Sequence, residues 1–162
     1  MKFLAVVVLC SVAAPLARPA DTDSIENVVK AVYEVISGPA GPRNWQRFRG
    51  LFADGGRLIA MRTTPEGTAP AVMTPDDYAQ RTTASFEKNG FFENAVAQRV
   101  ETFGAIAHVF STYESRRAPG EKPFARGINS FQLIHQGDAW KVITILWDSE
   151  REGNPIPEKY LK

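Results

Sequence analysis

The chain is predicted to be an α+β domain with its helices laid against one face of an antiparallel sheet, and three observations carry that prediction. The run Phe124 to Glu150 (FARGINSFQLIHQGDAWKVITILWDSE) places Val, Ile, Phe and Trp alternately with polar residues on both sides of Gln136-Gly137-Asp138. That is the period-2 signature of a hairpin. Helical spacing of apolar residues is confined to segments upstream of Asn89. Beyond Asn89-Gly90 the chain reads as successive extended segments broken by short polar turns.

The first helix is expected over Thr22 to Ser37 (TDSIENVVKAVYEVIS), capped by Asp23 or Ser24, with Ile25, Val28, Val29, Val32 and Ile36 on one stripe. Gly38-Pro39 ends it, and GPAGP forms a stiff loop. Asn44 caps a short second helix, Trp45 to Phe52, turning Trp45, Phe48, Leu51 and Phe52 inward. Ala53 to Gly56 reads as a turn, and Arg57 to Arg62 (RLIAMR) as a first strand. Thr63 to Ala71 reads as loop, rich in Thr, Pro and Gly.

Thr74-Pro75-Asp76-Asp77 opens a third helix, with Thr74 as cap, Pro75 at the first helical position and two carboxylates favouring the dipole. Capping accounts for both aspartates, so they are not a catalytic pair. Strands follow over Phe92 to Phe103 and Ile106 to Arg117, joined at Gly104, and APGEKP (118–123) leads into the final hairpin.

With 162 residues, one domain can build a full core. Its 44% hydrophobic and 23% charged residues suit a soluble globular protein. A formal net charge of +1, with basic residues scattered, offers no footprint for nucleic acid. Lys2 followed by the apolar stretch Phe3 to Ala14 reads as a secretory signal peptide, residues 1–20, cut near Ala17 or Ala20. The stretch is too short to span a bilayer, and no span is expected in the mature chain, 21–162. The protein is therefore expected to be exported, to the periplasm or beyond. Cys10, the only cysteine, would leave with the leader, so thiol nucleophiles, disulfides and cysteine metal sites are excluded.

LFADGGRLI after two helices, a Thr-Pro-capped third helix and the closing strand DAWKVITILWDSE resemble the nuclear transport factor 2-like superfamily, which includes ketosteroid isomerase and the SnoaL-like cyclases. The resemblance spans about residues 22 to 150. It implies a cone: a strongly curved antiparallel sheet wrapped round three helices, with a deep apolar cavity. It says little about activity, because one fold carries many functions.

Strand alternation sorts side chains by face. Centring the last hairpin on Gly137 sets Asn129 opposite Ile145. The other turns set Ser111 opposite Asn129, Tyr113 opposite Gly127 and Gln98 opposite Ser111. One face then carries Val96, Gln98, Val100, Val109, Ser111, Tyr113, Asn129, Phe131, Ile143, Ile145 and Trp147. The other carries Arg99, Glu101, His108, Phe110, Thr112, Ile128, Val142 and Leu146.

Ile128 to Phe131 (INSF) is similar to the ketosteroid isomerase strand whose buried aspartic acid forms the oxyanion hole, which implies that Asn129 points into the cavity. The isomerase's tyrosine matches Tyr33. The ligand-binding set so implied is Tyr33, Gln98, Ser111, Tyr113, Asn129, Phe131, Ile145 and Trp147.

The departure from that enzyme is its missing base. Ala60 and Met61 stand where the isomerase has its aspartate, and no Asp or Glu falls on the inferred cavity face. Asp148 and Glu150, near the mouth, are the only carboxylates retained as candidates. His108, on the convex face beside Glu101, and His135, beside a turn, are too far apart for metal-ligand spacing, and no metal or cofactor is expected.

Donors without a base favour a small-molecule binder. The alternatives are an isomerase, dehydratase or cyclase without metal, and a protein-interaction module. The apolar residues of the convex face, with relatives that pair through it, predict a homodimer.

Overall fold

A computed structural model gives the structure and describes residues 19–162. All of the expected leader except Pro19 and Ala20 lies outside the described residues. Those two open a four-residue helix, α1 (Pro19–Thr22). Then come α2 (Ile25–Ile36), α3 (Trp45–Gly50), β1 (Phe52–Thr64), β2 (Gly67–Met73), α4 (Pro75–Lys88), β3 (Phe92–Phe103), β4 (Ile106–Arg116), β5 (Ala125–Gln136) and β6 (Ala139–Ser149). A single 3-10 turn, Glu158–Tyr160, closes the chain.

The strands form one sheet in the order β2-β1-β6-β5-β4-β3. Neighbours are antiparallel except β1 and β6, which run parallel. This α+β arrangement, an open curved sheet with the helices in its concavity, is the predicted one.

Local chemistry accounts for the helices. Ser24 caps α2, accepting from the Asn27 N–H at 3.1 Å, and the apolar stripe of α2 widens to most of its girth because the helix lies inside the sheet. Val28, Val29, Ala31, Val32, Tyr33, Val35 and Ile36 are all buried. Asn44 caps α3. Thr74 and Asp77 form a reciprocal capping box on α4, with Pro75 in its first turn. The GPAGP loop is held by Arg43, whose guanidinium donates to the carbonyls of Ile36, Gly38, Pro39 and Gly41. Paired main-chain bonds between Gly38 and Phe91 tie the end of α2 to the start of β3. Arg47 clamps Asp21 through two bonds of 2.9 and 3.0 Å and also reaches Glu34 at 2.9 Å, fixing α1 and α3 to α2.

The segment expected as loop, Thr63 to Ala71, instead forms most of a hairpin between β1 and β2, closing at Thr64 opposite Gly67. Its side chains from Arg62 to Pro70 are exposed on both faces, so no apolar alternation marks it. Pro70 is accommodated because β2 is an edge strand. The expected turn Ala53 to Gly56 lies within β1. Phe52 pairs with Val142 and Arg57 with Thr144, so the excess residues bulge out around Gly55, whose φ is +77°.

Two further irregularities decide which side chains face inward. In β3 the pairing runs from Phe103 opposite Ile106 to Ala97 opposite Thr112, then resumes with Ala95 opposite Tyr113. Val96 is an extra residue, and upstream of it the inward parity reverses. In the last hairpin the turn centres between Gly137 and Asp138, and Ile143 is extra between Val142 and Thr144. Asn129 therefore faces Trp147 rather than Ile145.

The two offsets cancel in parity from Thr144 onward, so Ile145 and Trp147 keep their predicted face. Between Ala139 and Val142 they do not cancel. Val142, expected on the convex side, is fully buried, and Val96 and Val100, expected inside, are about half exposed.

Beyond β6 the chain folds back over the convex face. Thr112 donates to the Tyr160 carbonyl at 2.6 Å, Arg99 to that of Lys159 at 2.7 Å, and the Tyr160 ring meets Phe110 edge-on at 4.9 Å. Among the described residues no helix is long and apolar enough to cross a membrane.

Candidate functional site

Between the helices and the concave face lies a cavity of about 210 Å³. Val32, Tyr33 and Ile36 of α2 form one wall, with Phe48 of α3 and Tyr78 of α4 beside them. Leu58, Ile145 and Trp147 come from the central strands, and Phe91 and Phe124 lie near the opening. The polar groups are few: Glu93, Tyr113, Ser115 and Asn129, with the Tyr33 and Tyr78 hydroxyls. An apolar chamber with a small set of convergent polar atoms is the ordinary form of a small-molecule site.

Tyr33, Glu93, Ser115 and Asn129 form one network, and Tyr113 stands apart from it. The Asn129 amide donates to the Tyr33 oxygen at 3.1 Å and to Glu93 Oε1 at 3.3 Å. Ser115 donates to Glu93 Oε2 at 2.7 Å. Tyr33 and Ser111 share a hydrogen bond of 2.7 Å, and the Gln98 amide donates to Ser111 at 3.2 Å. The Tyr113 hydroxyl is 3.2 Å from that of Ser149. Gly127, opposite Tyr113, makes room for its ring, because a Cβ there would lie 2.6 Å from the phenolic oxygen.

Glu93 corrects the expectation that the cavity face has no carboxylate. An unbroken strand would place it on the same side as Glu101; the extra residue at Val96 turns it inward, opposite Ser115. The residue as a whole is half-buried because its stem lies at the rim, but its carboxylate reaches the interior network. Burial disfavours the charged form and outweighs the bonds from Ser115 and Asn129, so the Glu93 carboxyl is pushed up to about 7. Burial likewise raises Tyr33, Tyr78 and Tyr113 above the usual phenol range, keeping all three neutral. A bulge inserted by one β-branched residue leaves no local mark that reading by parity can detect. The pairing register is the only signal that finds Glu93.

Of the eight predicted site residues, Tyr33, Tyr113, Asn129, Ile145 and Trp147 line the cavity. Ser111 and Phe131 are fully buried behind it, Ser111 bonded to Tyr33 and Phe131 meeting its ring edge-on at 5.9 Å. Gln98 lies outside, in a groove that Tyr33 and Glu93 also border. Asp148 and Glu150, retained as mouth carboxylates, do not line the cavity. Asp148 binds Arg151 at 2.6 Å, and Glu150 binds Arg126 at 3.2 Å and the Ile156 N–H at 3.1 Å. Both anchor the start of the returning tail. His108 bonds to Ser130 at 3.0 Å on the convex side, and His135 is exposed beside Trp140. Among the described residues no three His, Cys, Asp or Glu side chains group as metal ligands.

No protein-family model matches the sequence, and no curated protein matches it. Solved structures do match. A protein of unknown function with a cystatin-like fold from Nostoc punctiforme aligns with a TM-score of 0.60 at 11% identity, over 78% of this chain and 88% of that one. An NTF2-like protein of unknown function from Pseudomonas putida aligns at 0.59 and 12% identity, over 80% and 88%. A third, NTF2-like and of unknown function, from Methylobacillus flagellatus, aligns at 0.52 and 11% identity, over 79% and 95%. At such identities the likeness concerns the fold, and that fold is the nuclear transport factor 2-like cone.

Proposed function

We propose that this nuclear transport factor 2-like chain is an exported protein that binds a small, largely apolar molecule in its cavity and acts as a homodimer through the convex face. The observation that carries the binding reading is the one-sided network. Asn129, Tyr33, Glu93 and Ser115 offer polar contacts at one wall, while aromatic and aliphatic side chains form the rest. Such a chamber orients a ligand by one polar group and holds its body by burial.

Native mass spectrometry of the protein purified from its exporting host tests this, followed by extraction and identification of bound small molecules. Near one ligand per subunit is expected, and N129L should weaken its retention. A chain that stays empty in that host and takes up no apolar probe contradicts the reading.

Exposed apolar side chains on the convex side support self-association: Phe103 is 82% exposed, Ile106 58%, Val72 54% and Leu146 38%. Light scattering coupled to size exclusion checks it, and a monomer at micromolar concentration contradicts it.

One observation favours a second reading, an isomerase, dehydratase or cyclase. Glu93 supplies a carboxyl whose affinity for protons lies near neutrality, the property a general acid or base needs. With Asn129 and the Tyr33 hydroxyl beside it, the cavity holds both a proton acceptor and neutral hydrogen-bonding groups. A screen of enones and hydroxy-ketones measures this. Turnover abolished by N129L supports the enzyme reading, and no turnover across the set leaves binding as the activity.

A further inference from the structure

The cavity has an electrical imbalance. Among the described residues its wall contains one carboxylate, Glu93, and no Lys, Arg or His. The partners of that carboxylate are the neutral donors Ser115 and Asn129, which satisfy hydrogen bonds but leave the charge in place. Lys30 and Arg116 border the outer groove together with Glu93, and each has a carboxylate of its own: Lys30 pairs with Glu34 at 3.8 Å and Arg116 with Glu114. The titratable groups that face Glu93 from the surrounding elements are Tyr33 of α2, Tyr78 of α4 and Tyr113 of β4, all neutral.

An ionised carboxylate in such a place needs a counter-charge, and none is paired with it among the described residues. The rest of the wall suits a cation too. Tyr33, Tyr78, Tyr113, Phe91, Phe124 and Trp147 all present rings to the space, and aromatic faces attract positive charge.

We infer that the cavity takes a protonated amine: an apolar body with a single positive charge, seated with its ammonium group against the Glu93 carboxylate and its body among the aromatic rings. This rests on the binding reading above and adds the ligand's charge to it. The ammonium N–H groups donate to the lone pairs of Glu93 that Ser115 and Asn129 leave free, which is the charge-assisted form of hydrogen bond. A neutral ligand leaves the carboxylate uncompensated, and an anionic one is repelled. The volume, about 210 Å³, is below the usual range for drug-sized ligands, so the amine is small.

Calorimetric titration of the full chain with three probes sharing one body tests the inference: 2-phenylethylamine, 2-phenylethanol and phenylacetate, at pH 7.5. The amine should bind at least about tenfold more tightly than the alcohol, and phenylacetate should not bind. In E93Q the advantage of the amine should vanish while alcohol binding persists. Between pH 5.5 and 7.5 amine affinity should rise as Glu93 ionises, with buffer-dependent heats recording the proton released. Alcohol binding equal to or tighter than amine binding overturns the cation assignment and leaves the binding reading standing, as does an amine advantage that survives E93Q. If none of the probes binds, and an apolar fluorescent probe does not bind either, both readings fall together. If E93Q does not fold, the ratio of amine to alcohol in the unchanged chain and its pH dependence decide alone.

Discussion

Glu93 and Glu101 lie on the same strand, an even number of residues apart, and meet opposite surroundings. Glu93 faces Ser115 and Asn129 at the cavity wall, whereas Glu101 is exposed opposite His108 on the convex side. The difference is one extra residue, Val96, which breaks the alternation between them. One bulge thus converts what would be a second solvated surface carboxylate into an interior one. The two halves of β3 differ in the same way. Upstream of Val96 the strand packs against α2, but from Gln98 to Phe103 every residue is exposed, so the hairpin formed with β4 projects past the helices.

The largest expected effect sharpens the contrast between the covered centre of the sheet and the projecting hairpin. Phe131, fully buried behind Tyr33, should cost about 3–5 kcal/mol when cut to Ala, since the cavity left behind adds to the lost transfer energy. Val100, 51% exposed on the projecting hairpin and outside the convex patch proposed for self-association, should stay within about 0.5 kcal/mol under the same change. Urea denaturation of both variants measures this. Comparable losses would mean that the hairpin is part of a buried interface.

Next in size is the pH dependence of stability. Burial raises Glu93 from the ordinary 4.5 to about 7 in the folded state, so the folded chain binds the extra proton. The sign follows: the contribution of Glu93 is most favourable below pH 4.5 and is lost as pH rises through 7. The loss amounts to about 2–4 kcal/mol from the size of the shift. E93Q should remove that slope and gain stability relative to the unchanged chain above pH 7. E101Q, on the exposed half of the strand, should leave the curve within about 0.5 kcal/mol. If the two variants have parallel stability–pH curves, Glu93 is not interior.

Smaller effects probe the network itself. N129L removes the amide that bridges Tyr33 and Glu93, and should weaken ligand retention on the order of tenfold. Y33F leaves Ser111 and Asn129 short of one partner each and should cost about 1–2 kcal/mol in stability.

Much of the architecture was legible in advance because burial and period agree there. The stripe on α2, the Thr74 cap and the alternation of β4 and β5 each carry their own signal, whereas Tyr33 and the inward direction of Asn129 follow from the resemblance to ketosteroid isomerase and not from period or spacing. Where the signal failed, a physical reason is visible. β2 has solvent on both faces, so nothing selects alternation. The bulges at Val96 and Ile143 are occupied by ordinary strand residues rather than glycine, so composition does not mark them. The first of these hides Glu93, and Val142 takes the opposite face from the one alternation predicts because the turn centre shifts the count by one before the second bulge restores it. Asp148 and Glu150 carry chain-end ion pairs that only the returning tail reveals.

The most direct test is a carbon-detected NMR titration of the glutamate side-chain carboxyls, with E93Q used to assign the Glu93 signal. The account predicts one carboxyl titrating near pH 7, absent from E93Q and present in E101Q. If every glutamate titrates close to 4.5, the Glu93 carboxylate is solvated, and the interior site, with the amine chemistry built on it, is contradicted.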